Sequence, residues 1–561
     1  MNAKTIIPFS RMVLILVSSS LLLSCTTSKN TVSKPPARES APASFHLGSH
    51  SFPISTKVPQ AQSAFNRGLT LSYAFSHKAA EREFRRAAEH DAEAAMPWWG
   101  VALVNGPHIN YPLVPEDKAR IAWEAITRAR SKRAQATLLE RDLIDALSAR
   151  YVKHQPKDRS KLDRAYAAAM KKLSLKYPEH SDVTALYAEA LMDLNPWNLW
   201  TEKGAAQPWT PEILSTLEHA IALTRTHPGA HHLYIHAVEG SNHPEVGVPS
   251  ADLLGGLVPG AGHLVHMPGH VYIRIGRWED AAKANENVIL ADEEFKKSEP
   301  SPGFYAIYMT HNRHFLSFVR MMQGRREAAL KAAREMVAGV PPEFLKEYGP
   351  IADGYMAIVP EVQMRFGMWD EILSEPEPSQ ELPIARALRH FARISALNAL
   401  DRRAEAKQER ARFVAAVGRV PQDATFGNSS AHQLLKIALL VADGEMAARE
   451  QRYDAAIKLL TQAVKLEDAL MYDEPPDWIL PVRHALGITL LRAGKAKEAE
   501  LAYREDLKKF PKNGWSLYGL NRSLALQKRE QEAALALKDF KTQWAGADTA
   551  IEGSCLCQPG V

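Results

Sequence analysis

The stretch Leu491-Arg492-Ala493-Gly494-Lys495-Ala496-Lys497-Glu498-Ala499, followed by Tyr503, Leu507 and Pro511 and then by Trp515, Tyr518, Gly519 and Leu520, sets the strongest limit on what this chain can fold into. Small residues at Gly494, Ala499 and Gly519 let two helices approach closely. The aromatic residues fill the space between them, and a proline such as Pro511 ends a helix because its ring blocks the next turn. Weaker copies of the turn occur at Gly276-Arg277-Trp278-Glu279-Asp280-Ala281, Gly324-Arg325-Arg326-Glu327-Ala328-Ala329, Gly367-Met368-Trp369 and Arg452-Tyr453-Asp454-Ala455-Ala456. Nearer the N-terminus, Ala80, Phe84, Ala87 and Asp91 carry the spacing of a second helix, and Trp98, Trp99 and Gly100 open the next. Alternating apolar and polar runs bounded by tight turns are nearly absent, so no sheet is expected.

This pattern resembles the tetratricopeptide repeat, and the resemblance extends over most of residues 60 to 545. It implies an all-α solenoid of helix-turn-helix repeats whose groove holds peptides or partner proteins. The string from His231 through Arg274 is also similar to a segment of a group of secreted bacterial tetratricopeptide proteins, which implies fold and export but no reaction. Proline-rich connections at Pro341-Pro342, Pro376-Pro378 and Pro475-Pro476 mark breaks. They suggest an N-terminal lobe over 51–375 with degenerate repeats, a C-terminal lobe over 376–550 and a tail over 551–561.

With 561 residues, 46% of them apolar and 24% charged, the chain is too long for one simple core. A formal net charge of only +5, with basic and acidic residues interleaved, gives no support to nucleic-acid binding. Lys4 and Arg11 precede an apolar run from Met12 to Leu23 that closes on Leu22-Leu23-Ser24-Cys25. This has the form of a secretory signal over 1–24 and resembles a bacterial lipobox, with Cys25 as the lipid-bearing residue. Thr26 after the cysteine implies the outer membrane, by resemblance to lipoproteins of Gram-negative bacteria. Residues 25–50 are polar and proline-rich and read as a flexible tether, so the body is expected to be soluble, facing the periplasm. Only Cys555 and Cys557 remain, too few to hold the fold by disulfides. At the extreme C-terminus they read as a pair of soft-metal ligands, a redox pair, or part of a frayed end.

Between His219 and His314 lie eleven of the twenty-one histidines. His232, His236 and Glu239 stand at i, i+4 and i+7, on one face of a helix. His263, His266 and His270 are entered through a glycine-rich loop, Gly255 to Gly262, and His311 and His314 form a third group. Pro268 suits a helix start, which would leave His263 and His266 on the preceding loop and His270 on the first turn. Neutral imidazole is a ligand for copper, zinc and iron, so these seven histidines are the candidate metal set. Glu239 is the candidate catalytic group, as general base, or else a ligand or the acceptor that fixes an imidazole tautomer. Met267 beside His266 makes copper attractive. His219, His227 and His390 read as structural.

Glu189, Asp193, Trp197, Trp200 and His108 could line a pocket at the same place, since tryptophans with a few polar groups are common around small ligands. The reading favoured is a lipid-anchored envelope protein with a histidine-rich site for a transition metal, copper, zinc or iron. If it is an enzyme, it is a metal-dependent hydrolase or oxidoreductase acting on a small-molecule substrate. The rival is a scaffold for a protein partner. No phosphate-binding loop, dinucleotide fingerprint or nucleophile elbow is present.

Overall fold

A left-handed turn residue is the device that repeats along this chain. In the computed structural model, which describes residues 46–299 and 303–558, the predicted signal, lipidation site Cys25 and most of the tether lie outside the described residues. Gly276, Gly324, Gly367 and Gly494 have φ of 75°, 71°, 65° and 72°. After each, an amide donates back to close the preceding helix: Arg277 to the carbonyl of Tyr272 (2.8 Å), Arg325 to Arg320 (2.9 Å), Met368 to Gln363 (3.0 Å) and Lys495 to Leu490 (2.9 Å). This satisfies carbonyls that a helix end leaves open, and glycine does it without a Cβ penalty. The same turn is made at Asp401, Gln451 and Lys528, which are not glycines and have φ of 58°, 60° and 60°.

Twenty-six α-helices occupy the described residues, against two strands of two residues each, Thr425–Phe426 and Ser429–Ser430. The expected all-α build of helix pairs is what the chain has. In the C-terminal pairs, Tyr503 of Ala496–Lys509 fits between Val482–Arg492 and Gly514–Leu526. Its ring comes so close that a Cβ at Gly487 or Gly519 would sit 2.3 or 2.1 Å from it. No helix among the described residues is long and apolar enough to cross a membrane.

The described residues belong to one compact unit. Within it, one apolar core runs from Leu47 to Phe366 and takes in Ile479, Phe510 and Trp515, and a second runs from Ala357 to Cys557. The C-terminal pairs brace the histidine region directly: the indole of Trp515 donates to the carbonyl of Met321 (2.9 Å) and that of Trp278 to Pro511 (2.9 Å).

As far as Gln558, the C-terminal tail is packed against the body. Asp548 accepts the amides of Arg326 (2.6 Å) and Glu327 (3.0 Å) and so caps the helix Arg326–Ala338. Ser554 donates to the carbonyl of His484 and shares a hydrogen bond with the Tyr503 hydroxyl, both at 2.7 Å. Cys555 and Cys557 are joined as a disulfide, and Cys557 is buried. Sequence position suggested a loose end, but the tail has polar partners and an apolar seat.

Six helices carry the site, labelled in chain order: α1 (Pro59–Tyr73), α2 (Pro228–Val238), α3 (Gly262–His266), α4 (Pro268–Arg274), α5 (Trp278–Ser298) and α6 (Tyr305–Met322). Two expectations are corrected here. Gly255 and Gly256 belong to the helix Val248–Leu257, not to a loop. His263 and His266 are helical, because Met267 keeps helical dihedrals (φ −51°, ψ −35°) and joins α3 to α4. The proline at the start of α4 has no amide to lose, so it does not break the path.

Candidate metal centre

On α2, His232, His236 and the C-capping Glu239 do share one face, and all three are buried. His263 and His266 come from α3, His270 from α4 and His311 from α6. Ligand atoms of His232, His236 and His263 lie within 4.8 Å of one another, and so do those of His266, His270 and His311. The three sequence-distant groups therefore meet, as two adjoining triads.

Hydrogen-bond partners fix the imidazole tautomers. His232 Nδ1 lies 2.7 Å from the carbonyl of Tyr73 in α1, which can only accept. His236 Nδ1 and His270 Nδ1 lie 2.9 and 2.6 Å from the two carboxylate oxygens of Glu239. His266 Nδ1 lies 2.8 Å from Asn285 Oδ1 of α5, whose amide nitrogen donates to Ala281 and so orients the oxygen. Each of these four Nδ1 atoms must carry the hydrogen, which leaves Nε2 as a lone pair in the neutral ring.

On His266 and His270 those lone pairs face each other, and His263 and His311 approach the same side with Nε2. His266 Nε2 is 2.7 Å from His270 Nε2 and 3.0 Å from His311 Nε2, and His232 Nε2 is 3.1 Å from His263 Nε2. His236 Nε2 is buried with no hydrogen-bond partner. Two acceptors at 2.7 Å repel unless a cation stands between them. A proton is one such cation, and Glu239 holds the pKa of His270 raised despite burial. Burial and the neighbouring imidazoles push His232, His263, His266 and His311 well below the usual histidine range, so four rings stay neutral and available as ligands. Burial works to raise the pKa of Glu239, but His270 and His236 outweigh it and keep the carboxylate ionised. Both of its oxygens are spoken for, so Glu239 stands as the outer anchor of two ligands rather than as a group free to take a substrate proton.

The donor set fits a pair of transition ions: six imidazoles, with partners behind four of them that set tautomer and ring orientation. A third group shows the contrast. His227 Nδ1 accepts the amide of Ala230 at 3.1 Å, so its Nε2 carries the hydrogen, and that atom lies 3.3 Å from Asp182. Asp182 also takes His50 Nε2 and the Tyr73 hydroxyl, each at 2.8 Å. Asp182 thus gathers two hydrogen bonds, and His227 keeps its ring hydrogen rather than a lone pair on the side facing it.

Other residues singled out in the sequence fall in different places. His314 is buried on α6 with its ring edge against Tyr355, and neither nitrogen has a hydrogen-bond partner; it lies outside both triads. Glu189 and Asp193 turn to Arg150, with Asp193 bonded to it at 2.6 Å, and burial raises both carboxyl pKa values. They are not on the cleft. His108 packs on Phe75 and His77, one layer behind the triads. Met267 is buried in the first apolar core.

Trp197 and Trp200 do line a cleft of about 1040 Å³, together with His236, Arg274, Tyr472 and Glu474, so the cleft leads to the first triad. Trp197 stands edge-on to His236, ring centres 5.2 Å apart, and has φ of 60°. That is a strained setting for so bulky a residue, of a kind that collects at functional sites. Phe75 (φ 53°) occupies a turn like those that use glycine elsewhere, and its ring lies 4.6 Å from His232 and 5.5 Å from His263. Sequence reasoning missed Tyr73, Phe75 and Asn285. The only signal was Phe75 itself, an aromatic in the slot of a repeat turn.

No family model matches this sequence, and no curated protein matches it. Among solved structures, the chain is similar to a human IFIT1 dimer with m7Gppp-AAAA (13% identity, 87% of this chain and 91% of that one, TM-score 0.33). It is also similar to yeast Tom70 (12%, 86% and 92%, TM-score 0.27) and to the P58(IPK) TPR domain (13%, 84% and 99%, TM-score 0.21). At these values the likenesses carry no argument about function.

Proposed function

We propose that this protein is a metal-dependent oxidoreductase whose six histidines, in triads His232-His236-His263 and His266-His270-His311, hold two copper ions at the end of a cleft that admits a small organic molecule. The observation that carries the reading is the contact between His266 Nε2 and His270 Nε2 at 2.7 Å, two lone pairs that only a cation reconciles. Copper is favoured among imidazole-binding metals by charge. Imidazoles bind a metal as neutral rings, and one ionised carboxylate, Glu239, touches the set, so two monovalent ions would leave far less uncompensated buried charge than two divalent ones. Bound there, copper would supply one-electron chemistry. The chain's own residues hold tautomers through Tyr73, Glu239 and Asn285, and Phe75 and Tyr308 exclude water at His263. In this reading the lipid on Cys25 tethers the body on the periplasmic side of the outer membrane.

Elemental analysis after loading with copper(I), zinc(II) or iron(II) tests the proposal. About two copper ions per chain are expected, as one per triad. His232→Ala with His236→Ala should lose metal while the helical circular-dichroism signal stays. Metal-free protein after every loading, with a co-purifying protein partner, would return the scaffold reading instead.

A further inference from the structure

The cleft that ends at His236 has a second chemical character, set by residues far from the histidines in sequence. Glu474 is 4% exposed and lines the cleft. One of its oxygens accepts the Tyr472 hydroxyl at 2.7 Å, and the other is buried with no hydrogen-bond partner. A buried carboxylate oxygen without a donor is costly, so the site is built for something that brings one. Asp473, half-buried beside it, lines the same cleft.

The cationic side chains of that lining are largely committed elsewhere. Arg274 donates to the carbonyls of Glu239 and Ser241 and stands only 3.9 Å from Glu474 at its nearest. Arg483 grips both oxygens of Asp468, and Lys508 pairs with Glu505. The same cleft is lined by the indoles of Trp197, held in its strained left-handed conformation, and Trp200, fixed by its bond to the carbonyl of Ala237 at 2.8 Å. Aromatic rings lining the same cleft as a carboxylate with one oxygen free of hydrogen bonds recognise an organic cation, through the ring quadrupole and a charge-assisted hydrogen bond.

We infer that the cleft binds a small organic molecule carrying a protonated amine next to an apolar or aromatic body, with Glu474 taking the ammonium and Trp197 and Trp200 taking the body. This names the substrate class for the proposed metal centre and rests on that reading for its place in a reaction, while the binding itself needs no metal. Burial pushes Glu474 up to about 7, and an ammonium beside it would restore the charged form.

The test is calorimetric titration of the metal-free full chain with 2-phenylethylamine, 2-phenylethanol and phenylacetate, which share a ring and differ in charge. The amine should bind about tenfold or more tighter than the other two, the size of one charge-assisted contact. Glu474→Gln should bring the amine down to the affinity of the alcohol and leave the alcohol unchanged, which also shows that the cleft is intact. Trp197→Ala should weaken amine and alcohol alike. Tighter binding of phenylacetate, equal binding of all three, no binding of any, or an amine preference that survives Glu474→Gln would each overturn the inference. Because no metal is present, none of these results bears on the histidine triads.

Discussion

The two triads and the group His50-Asp182-His227 are made of the same kinds of side chain, are both buried, and share Tyr73, whose carbonyl serves one and whose hydroxyl serves the other. They differ in where the hydrogens point. Around Asp182, His50 and the tyrosine hydroxyl aim hydrogens at one carboxylate oxygen with His227 Nε2 3.3 Å away, and although burial pulls the other way, His227 and His50 hold the carboxyl well below the usual carboxylate range. On four of the six triad rings, His232, His236, His266 and His270, the hydrogens point outward, to Tyr73, Glu239 and Asn285, and the lone pairs point in. Histidines gather in both groups, and the direction of the outer hydrogen bonds is what separates them as candidate metal sites.

The sharpest way to break this comparison is to remove one member from each group. His266→Ala should lower copper from about two ions per chain to about one or fewer, with the helical signal unchanged. Asp182→Asn should leave metal content as it is and instead cost about 3–5 kcal/mol of stability in chemical denaturation, since it breaks a buried charged network. If Asp182→Asn lost metal and His266→Ala did not, the assignment would be reversed.

A smaller effect is expected behind the ligands. Glu239→Gln keeps the shape but cannot accept from both His236 and His270 as an anion, so metal affinity should fall about 10–100-fold, read by competition with a chromophoric chelator. An unchanged affinity would remove Glu239 from the centre.

His314 sharpens the boundary of the site. Burial lowers its pKa from 6.5 to about 4, so the folded chain refuses a proton that the unfolded chain takes. Its contribution to stability is present above about pH 6.5 and is lost as pH falls toward about 4, by at most about 3 kcal/mol. In His314→Phe that part of the acid slope should vanish while copper stays at about two per chain. Loss of copper in this variant would place His314 among the ligands.

Much of the fold was legible because its turns need a particular backbone. Gly276, Gly324, Gly367 and Gly494 announce a positive φ, whereas Asp401 and Lys528 make the same turn with residues that give no such signal. The face of α2 was legible from helical spacing alone. What could not be read were partners more than a hundred residues away: Tyr73 to His232, and Glu474 on the cleft that reaches His236. His314 was grouped with His311 because three residues on a helix are near neighbours. Yet the angular offset between them sends His311 to His266 and His314 to Tyr355. Glu189 and Asp193 were grouped with the cleft tryptophans, but Asp193 is bonded to Arg150 and neither lines the cleft.

One measurement reaches the central claim directly: anomalous scattering at the copper edge from crystals of the copper-loaded protein. Two peaks are predicted, one bounded by His232, His236 and His263 and the other by His266, His270 and His311. A map with no peak among these rings, or with its metal beside Asp182, would contradict the account.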